Sequence, residues 1–157
     1  MAKDFRQYLE ESDRSEDFGR FFKEIGIGSK IVASIQASSV HDCSPAETLD
    51  DLKAYETWEV ALRQTNRPIY VTRVGVWEHL YEKDWAKDFE QPDFGRFLER
   101  VQMPTAEVQT MFDDLVSFAL ENEQLEKEED IHMVDPDEPI KKIDKNRKLS
   151  CGGCQSK

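Results

Sequence analysis

The chain has 157 residues, and its 33 acidic and 21 basic side chains give a formal net charge of 21 − 33 = −12. This charge argues against general binding to a nucleic-acid backbone, and no run of about 20 apolar residues is present that would cross a membrane. The first residues are charged and do not form the apolar segment of a secretory signal, so we expect a cytoplasmic protein without membrane attachment.

The N-terminal part of the chain predicts two helices followed by a strand. Apolar residues recur with helical spacing over residues 5–9, and again from Ser15 to Ile25, where glycines follow as a suitable stop. Over residues 30–38 the pattern changes to strict alternation of apolar and polar side chains, which is typical of a half-buried strand.

Residues 44–74 predict one helix and two strands. The segment Ser44-Pro45-Ala46-Glu47 has the residue types of a capping box, so we expect a short helix that runs to about Lys53. Alternation over residues 56–63 and β-branched composition over 68–74 predict strands, and the turn signal between them predicts a hairpin.

Helical spacing returns over residues 77–85, 94–101 and 104–120, of which the last is the longest segment. Together these elements predict an α+β fold: a small antiparallel sheet of about three strands near 30–38, 56–63 and 68–74, packed with amphipathic helices from both ends of the chain. We expect residues 1–130 to form a single domain. Residues 131–157 then form a flexible tail, first acidic and then basic, that ends in a Cys-x-x-Cys motif.

A short segment of the sequence occurs twice. Asp17-Phe18-Gly19-Arg20-Phe21-Phe22 returns as Asp93-Phe94-Gly95-Arg96-Phe97-Leu98. The simpler interpretation is two amphipathic helices that pack through phenylalanine. The alternative is that Arg20 and Arg96 bind one acidic or phosphorylated ligand.

The candidate metal ligands are three cysteines and one histidine. Cys151 and Cys154 are separated by two glycines, a spacing that lets two thiolates reach one metal ion. His41 and Cys43 lie at the end of the first predicted strand and would complete a tetrahedral zinc site. The alternatives are redox exchange between Cys151 and Cys154, or a tail that carries free thiols.

The acidic residues are concentrated in one block. Residues 84–138 hold 17 acidic and 4 basic side chains, whereas residues 139–157 hold 1 acidic and 6 basic ones. We recognise no catalytic motif, so the sequence favours a non-enzymatic accessory or regulatory protein whose acidic surface contacts a basic protein surface. The alternatives are a metal-handling protein that binds zinc or another thiophilic ion, and an acidic mimic that inhibits a DNA- or RNA-binding protein. We expect no direct binding to nucleic acid.

Overall fold

Two antiparallel sheets and one α-helix make up the described part of the fold. The computed structural model of the protein describes residues 2–65, 69, 75–92 and 95–134. Within these ranges the strands are β1 (Glu11–Ser15), β2 (Gly19–Phe22), β3 (Glu24–Ile27), β4 (Ile31–Gln36), β5 (Thr57–Gln64), β6 (Leu98–Pro104) and β7 (His132–Val134), and the α-helix, α1, spans Thr105–Glu121. Short 3₁₀ helices span Phe5–Tyr8, Leu52–Ala54, Gly75–His79, Asp84–Ala86 and Glu128–Asp130.

The larger sheet has the strand order β6-β5-β4-β3-β7, and all its neighbours are antiparallel. Alternate residues of β5 are buried, which is the pattern of a strand with one face in the core. The apolar residues of that face join the buried face of α1 in one hydrophobic cluster. β1 and β2 form a separate two-stranded hairpin.

The strands predicted at 30–38 and 56–63 and the helix predicted at 104–120 are confirmed as β4, β5 and α1. The predicted strand at 68–74 and its turn lie outside the described residues, except for Thr65 and Ile69. The predicted architecture is wrong, because the described part of the chain is mostly sheet and contains one α-helix.

The helix predicted from Ser15 to Ile25 is replaced by the β1–β2 hairpin and by β3. The chain turns after Ser15, whose hydroxyl accepts the Phe18 N–H at 2.9 Å, and Gly19 adopts the left-handed φ of 71° that closes the turn. A residue with this φ ends a right-handed helix. The phenylalanines therefore diverge: Phe22 is buried, whereas Phe18 projects into solvent.

The capping box predicted at 44–47 does not start a helix, and only the short 3₁₀ helix at Leu52–Ala54 forms there. The Tyr55 hydroxyl accepts the Leu49 N–H and donates to the Glu47 carbonyl. Ser44 forms a bridge with Thr57 at the start of β5. Tertiary hydrogen bonds thus engage backbone groups that a helix would have used.

The helices predicted at 77–85 and 94–101 are also wrong. The first region contains two short 3₁₀ helices, in which Trp77 and Trp85 pack edge-to-face with ring centroids 6.1 Å apart. In the second region β6 pairs with β5, so that Leu98 lies opposite Leu62 and Met103 opposite Trp58. Residues 93 and 94 lie outside the described residues.

The last described element, β7, pairs with β3 at the edge of the larger sheet. His132 lies opposite Gly26, and its ring covers the space that a side chain at this glycine would need. The division into a domain at 1–130 and a tail at 131–157 stays a prediction, since most of residues 131–157 lies outside the described ranges.

Candidate functional site

The two predicted metal ligands that the structure describes lie close to Ser38 in the interior. Ser38 Oγ lies 2.7 Å from His41 Nδ1, and the Cys43 thiol donates to the Ser38 carbonyl at 3.4 Å. Burial lowers the pKa of His41 and raises the pKa of the Cys43 thiol. Burial therefore favours the neutral form of both side chains, and the histidine Nδ1 is engaged by Ser38.

This arrangement places His41 and Cys43 together, but it does not connect them to Cys151 and Cys154, which lie outside the described residues. No group of three or more histidine, cysteine, aspartate or glutamate side chains is placed to hold a metal ion within the described ranges. Zinc binding by the four predicted ligands stays a prediction. A protonated, buried Cys43 would have to lose its proton and become accessible before it could bind the ion.

The repeated segment places one arginine in the interior and the other at the surface. Arg20 is 1% exposed; it donates to the Ala37 and Leu49 carbonyls at 2.6 Å each and to the Tyr55 hydroxyl at 3.0 Å. Its guanidinium carbon lies 4.5 Å from the centroid of the Phe22 ring. Arg20 is thus a structural group that holds the loop between β4 and β5, whereas Arg96 is exposed.

Sequence reasoning missed the burial of Arg20. A charged residue between phenylalanines is most often solvated, and the acceptors that compensate it come from residues 17 to 35 positions away. The alternation over the strand predicted at 30–38 is the local signal that Ala37, just after β4, is buried.

Within the described part of the acidic block, some carboxylates are paired and others are not. Arg100 forms ion pairs with Asp88 and Glu107, and the Trp85 indole donates to Asp114 at 2.8 Å. These carboxylates fasten the segment before β6 to α1.

A group of unpaired carboxylates follows the end of α1. We call these residues the acidic cluster; all are exposed, and within the described ranges none forms an ion pair: Glu121, Glu123, Glu126, Glu129 and Asp130. The last turn of α1 contains no basic side chain. Partial negative charge from the helix carbonyls therefore adds to the charge of the carboxylates.

Two grooves lie beside the β1–β2 hairpin. One, of about 610 Å³, runs between the hairpin and the open face of the larger sheet and is lined by Phe22, Glu24 and Ser34, among others. The other, of about 620 Å³, is lined by hairpin residues that include Glu16 and by residues 46–48 of the facing loop. The lining of each groove mixes carboxylates, hydroxyls and apolar side chains.

The fold and its surface define a small protein of mixed helix and sheet, mostly sheet, with an exposed acidic cluster in its described part. No helix among the described residues is long and apolar enough to span a membrane. Comparison with protein-family models, curated proteins and solved structures found no significant match.

Proposed function

We propose that this protein is a non-enzymatic accessory or regulatory protein that binds a basic surface of another protein through the acidic cluster. The observation that carries the proposal is the set of exposed carboxylates without ion pairs at the end of α1. Asp88, Glu107 and Asp114 of the same acidic block have partners within the chain, whereas the carboxylates of the acidic cluster are left to interact with an external charge.

The acidic cluster costs the fold stability. A carboxylate in the last turn of a helix is unfavourable by about 0.3–1 kcal/mol, because it meets the negative end of the helix dipole. Glu121 has this position, and the following carboxylates repel it and one another. Lysine or arginine side chains of a partner would relieve this repulsion, and dense charge of one sign also accelerates encounter.

Charge neutralisation tests the proposal. The variant E121Q/E123Q/E126Q removes three charges from the acidic cluster, and the control E56Q/E82Q/E90Q removes three exposed charges elsewhere. Each protein is used as bait in an extract of the cells that make it, at low and at high salt. We expect proteins with basic surfaces to be retained by the wild type and the control and to bind the cluster variant about tenfold more weakly.

Equal retention by the two variants, or retention that does not decrease with salt, would contradict the proposal. The identity of the retained proteins also addresses the nucleic-acid mimic. If they are DNA- or RNA-binding proteins whose nucleic acid competes with this chain, the acidic cluster acts as a mimic of phosphates.

A further inference from the structure

The tip of the β1–β2 hairpin carries a large apolar side chain that is strongly exposed to solvent. Phe18 is 71% exposed, and Phe21 and Val40 are 39% and 49% exposed. Val40 lies beside the hairpin, since a Cβ placed on Gly19 would lie 2.9 Å from Val40 Cγ2, and the Phe21 ring packs edge-to-face on His41. We call Phe18, Phe21 and Val40 the hairpin patch. The other large hydrophobic side chains that are strongly exposed in the described ranges, Val101 and Leu120, lie on other elements.

The hairpin that carries this patch is fixed to the rest of the molecule. The Gln36 side-chain amide bonds both the N–H and the carbonyl of Phe22, at 2.8 and 2.9 Å. Arg14 Nη2 lies 2.7 Å from Asp50 Oδ1, and the buried Arg20 holds β2 from the inside. Phe18 therefore lies on a preorganised turn, and binding would cause little further loss of backbone conformational entropy there.

The charges around the patch indicate the kind of partner. Glu16 and Asp17 directly precede Phe18 in the turn, and Glu47 lines the adjoining groove together with Glu16. All three are exposed, and none forms an ion pair within the described ranges. The one arginine of the groove wall, Arg14, is already bound to Glu11 and Asp50. An exposed aromatic ring with a rim of carboxylates complements an apolar pocket with a rim of lysine or arginine.

We propose that the β1–β2 hairpin is a docking element, in which Phe18 inserts into an apolar pocket of another protein and Glu16, Asp17 and Glu47 contact basic side chains at the rim of that pocket. This surface consists of residues different from those of the acidic cluster, so the proposal goes beyond the function proposed above and does not depend on it.

Site-specific photo-crosslinking identifies the partner. Purified protein that carries p-benzoylphenylalanine in place of Phe18 is irradiated in an extract of the cells that make it, and the same group in place of Val101 is the control. We expect a protein adduct at position 18 that is absent at position 101, with the crosslinked peptide lying at a pocket bordered by lysine or arginine. An adduct with a second copy of this chain, with nucleic acid or with lipid would overturn the proposal, as would the absence of an adduct specific to position 18.

Affinity measurements with the purified partner protein, identified by the crosslink, complete the test. F18S is expected to raise Kd by at least about tenfold, because a central aromatic anchor carries much of the binding energy, whereas V101S leaves Kd unchanged. E16Q/E47Q is expected to slow association and reduce its dependence on salt. Thermal unfolding of F18S should match that of the wild type, since the removed ring is exposed. Equal Kd values for F18S and the wild type would refute the role of Phe18.

Discussion

Arg20 carries its charge into the interior without a carboxylate partner in the described ranges. Two carbonyls and one hydroxyl accept hydrogen bonds from its Nη1 and Nη2 atoms, the buried Nε has no hydrogen-bond partner within the described ranges, and the aromatic rings of Phe22 and Tyr55 lie within cation–π distance. Charge-assisted hydrogen bonds of this kind are stronger than neutral ones. Arg20 thereby connects the hairpin to the loop that follows β4 from the inside, and the ion pair between Arg14 and Asp50 connects them at the surface.

Replacing this side chain should weaken the fold severely. We expect Arg20→Met to lower the free energy of unfolding by about 3 kcal/mol, because the Ala37 and Leu49 carbonyls would be left buried without donors. The free energy of unfolding of Arg20→Lys should lie between those of the wild type and Arg20→Met, since one ammonium group lacks the planar fork that reaches all three acceptors. Urea denaturation of the three proteins measures the difference. A wild-type midpoint in Arg20→Met would show that these acceptors find other donors.

His41 makes stability depend on pH in a defined direction. Burial lowers its pKa below the ordinary value of 6.5, with Arg20 acting in the same direction and Glu59 opposing it. The unfolded chain therefore binds a proton at His41 at a pH where the folded chain does not. As pH falls through about 6.5, the unfolded state gains protons first and the folded state loses stability.

The variant His41→Asn tests this linkage, because an asparagine amide retains a hydrogen-bonding group near Ser38 but does not titrate. We expect the free energy of unfolding of the wild type to decrease more steeply than that of the variant between about pH 7 and about pH 5. Urea denaturation at several pH values gives both slopes. Parallel slopes would mean that other groups account for the acid sensitivity in this window.

At the scale of elements, the helices and strands that the sequence predicts correctly are those in which the spacing of apolar residues matches the spacing of buried residues. In β5 every second residue is buried, so the local period and the tertiary environment agree. The same holds for α1, whose buried residues recur three or four positions apart. These elements could be found without knowledge of their neighbours.

The elements that the sequence does not predict depend on distant partners. The spacing of Phe18, Phe21 and Phe22 fits one helix face, but a hydrogen-bonded turn and the Gln36 amide select a hairpin. β6 is a strand because β5 offers it an edge. The candidate site follows the same rule: residue types identified His41 and Cys43, but their burial, like that of Arg20, results from contacts remote in sequence.

The turn between β3 and β4 provides a test of one tertiary contact. Gly28 has a left-handed φ of 86°, and a Cβ on it would overlap the Gln124 carbonyl in the loop after α1. We expect Gly28→Ala to lower the free energy of unfolding by about 2 kcal/mol or more, from backbone strain and this overlap. The measurement is urea denaturation.

Gly26→Ala is the matched control for this substitution. A Cβ on Gly26 would lie 2.8 Å from the His132 ring, which is the end of a rotatable side chain, and Gly26 does not have a left-handed φ. We expect this variant to lose less than about 1 kcal/mol, since the ring can move aside. If both variants were equally unstable, the overlap with the Gln124 carbonyl would not explain the loss of stability in Gly28→Ala.

At the scale of the whole molecule, the net charge of −12 is distributed unequally between paired and unpaired carboxylates. The paired ones hold elements together, as Glu128 does by accepting the Tyr8 hydroxyl and the Lys3 N–H, at 2.9 and 2.8 Å. In the acidic cluster next to it, like charges repel one another and the negative end of α1. A surface that weakens its own fold and has no partner within the described ranges is the physical basis of the proposed binding function.

This repulsion should be visible as a salt dependence of stability. Added sodium chloride screens exposed charges over a Debye length of about 10 Å at 0.1 M, so we expect the free energy of unfolding of the wild type to rise with salt. At low salt, E121Q/E123Q/E126Q should be more stable than the wild type by about 1 kcal/mol and should respond less to salt, because it has lost charges at the negative end of α1.

The control E56Q/E82Q/E90Q removes the same number of charges away from that end of α1, and its stability should increase less. Urea denaturation at low and high salt measures all three proteins, and a cluster variant that is no more stable than the control would show that the carboxylates at the end of α1 do not repel one another appreciably.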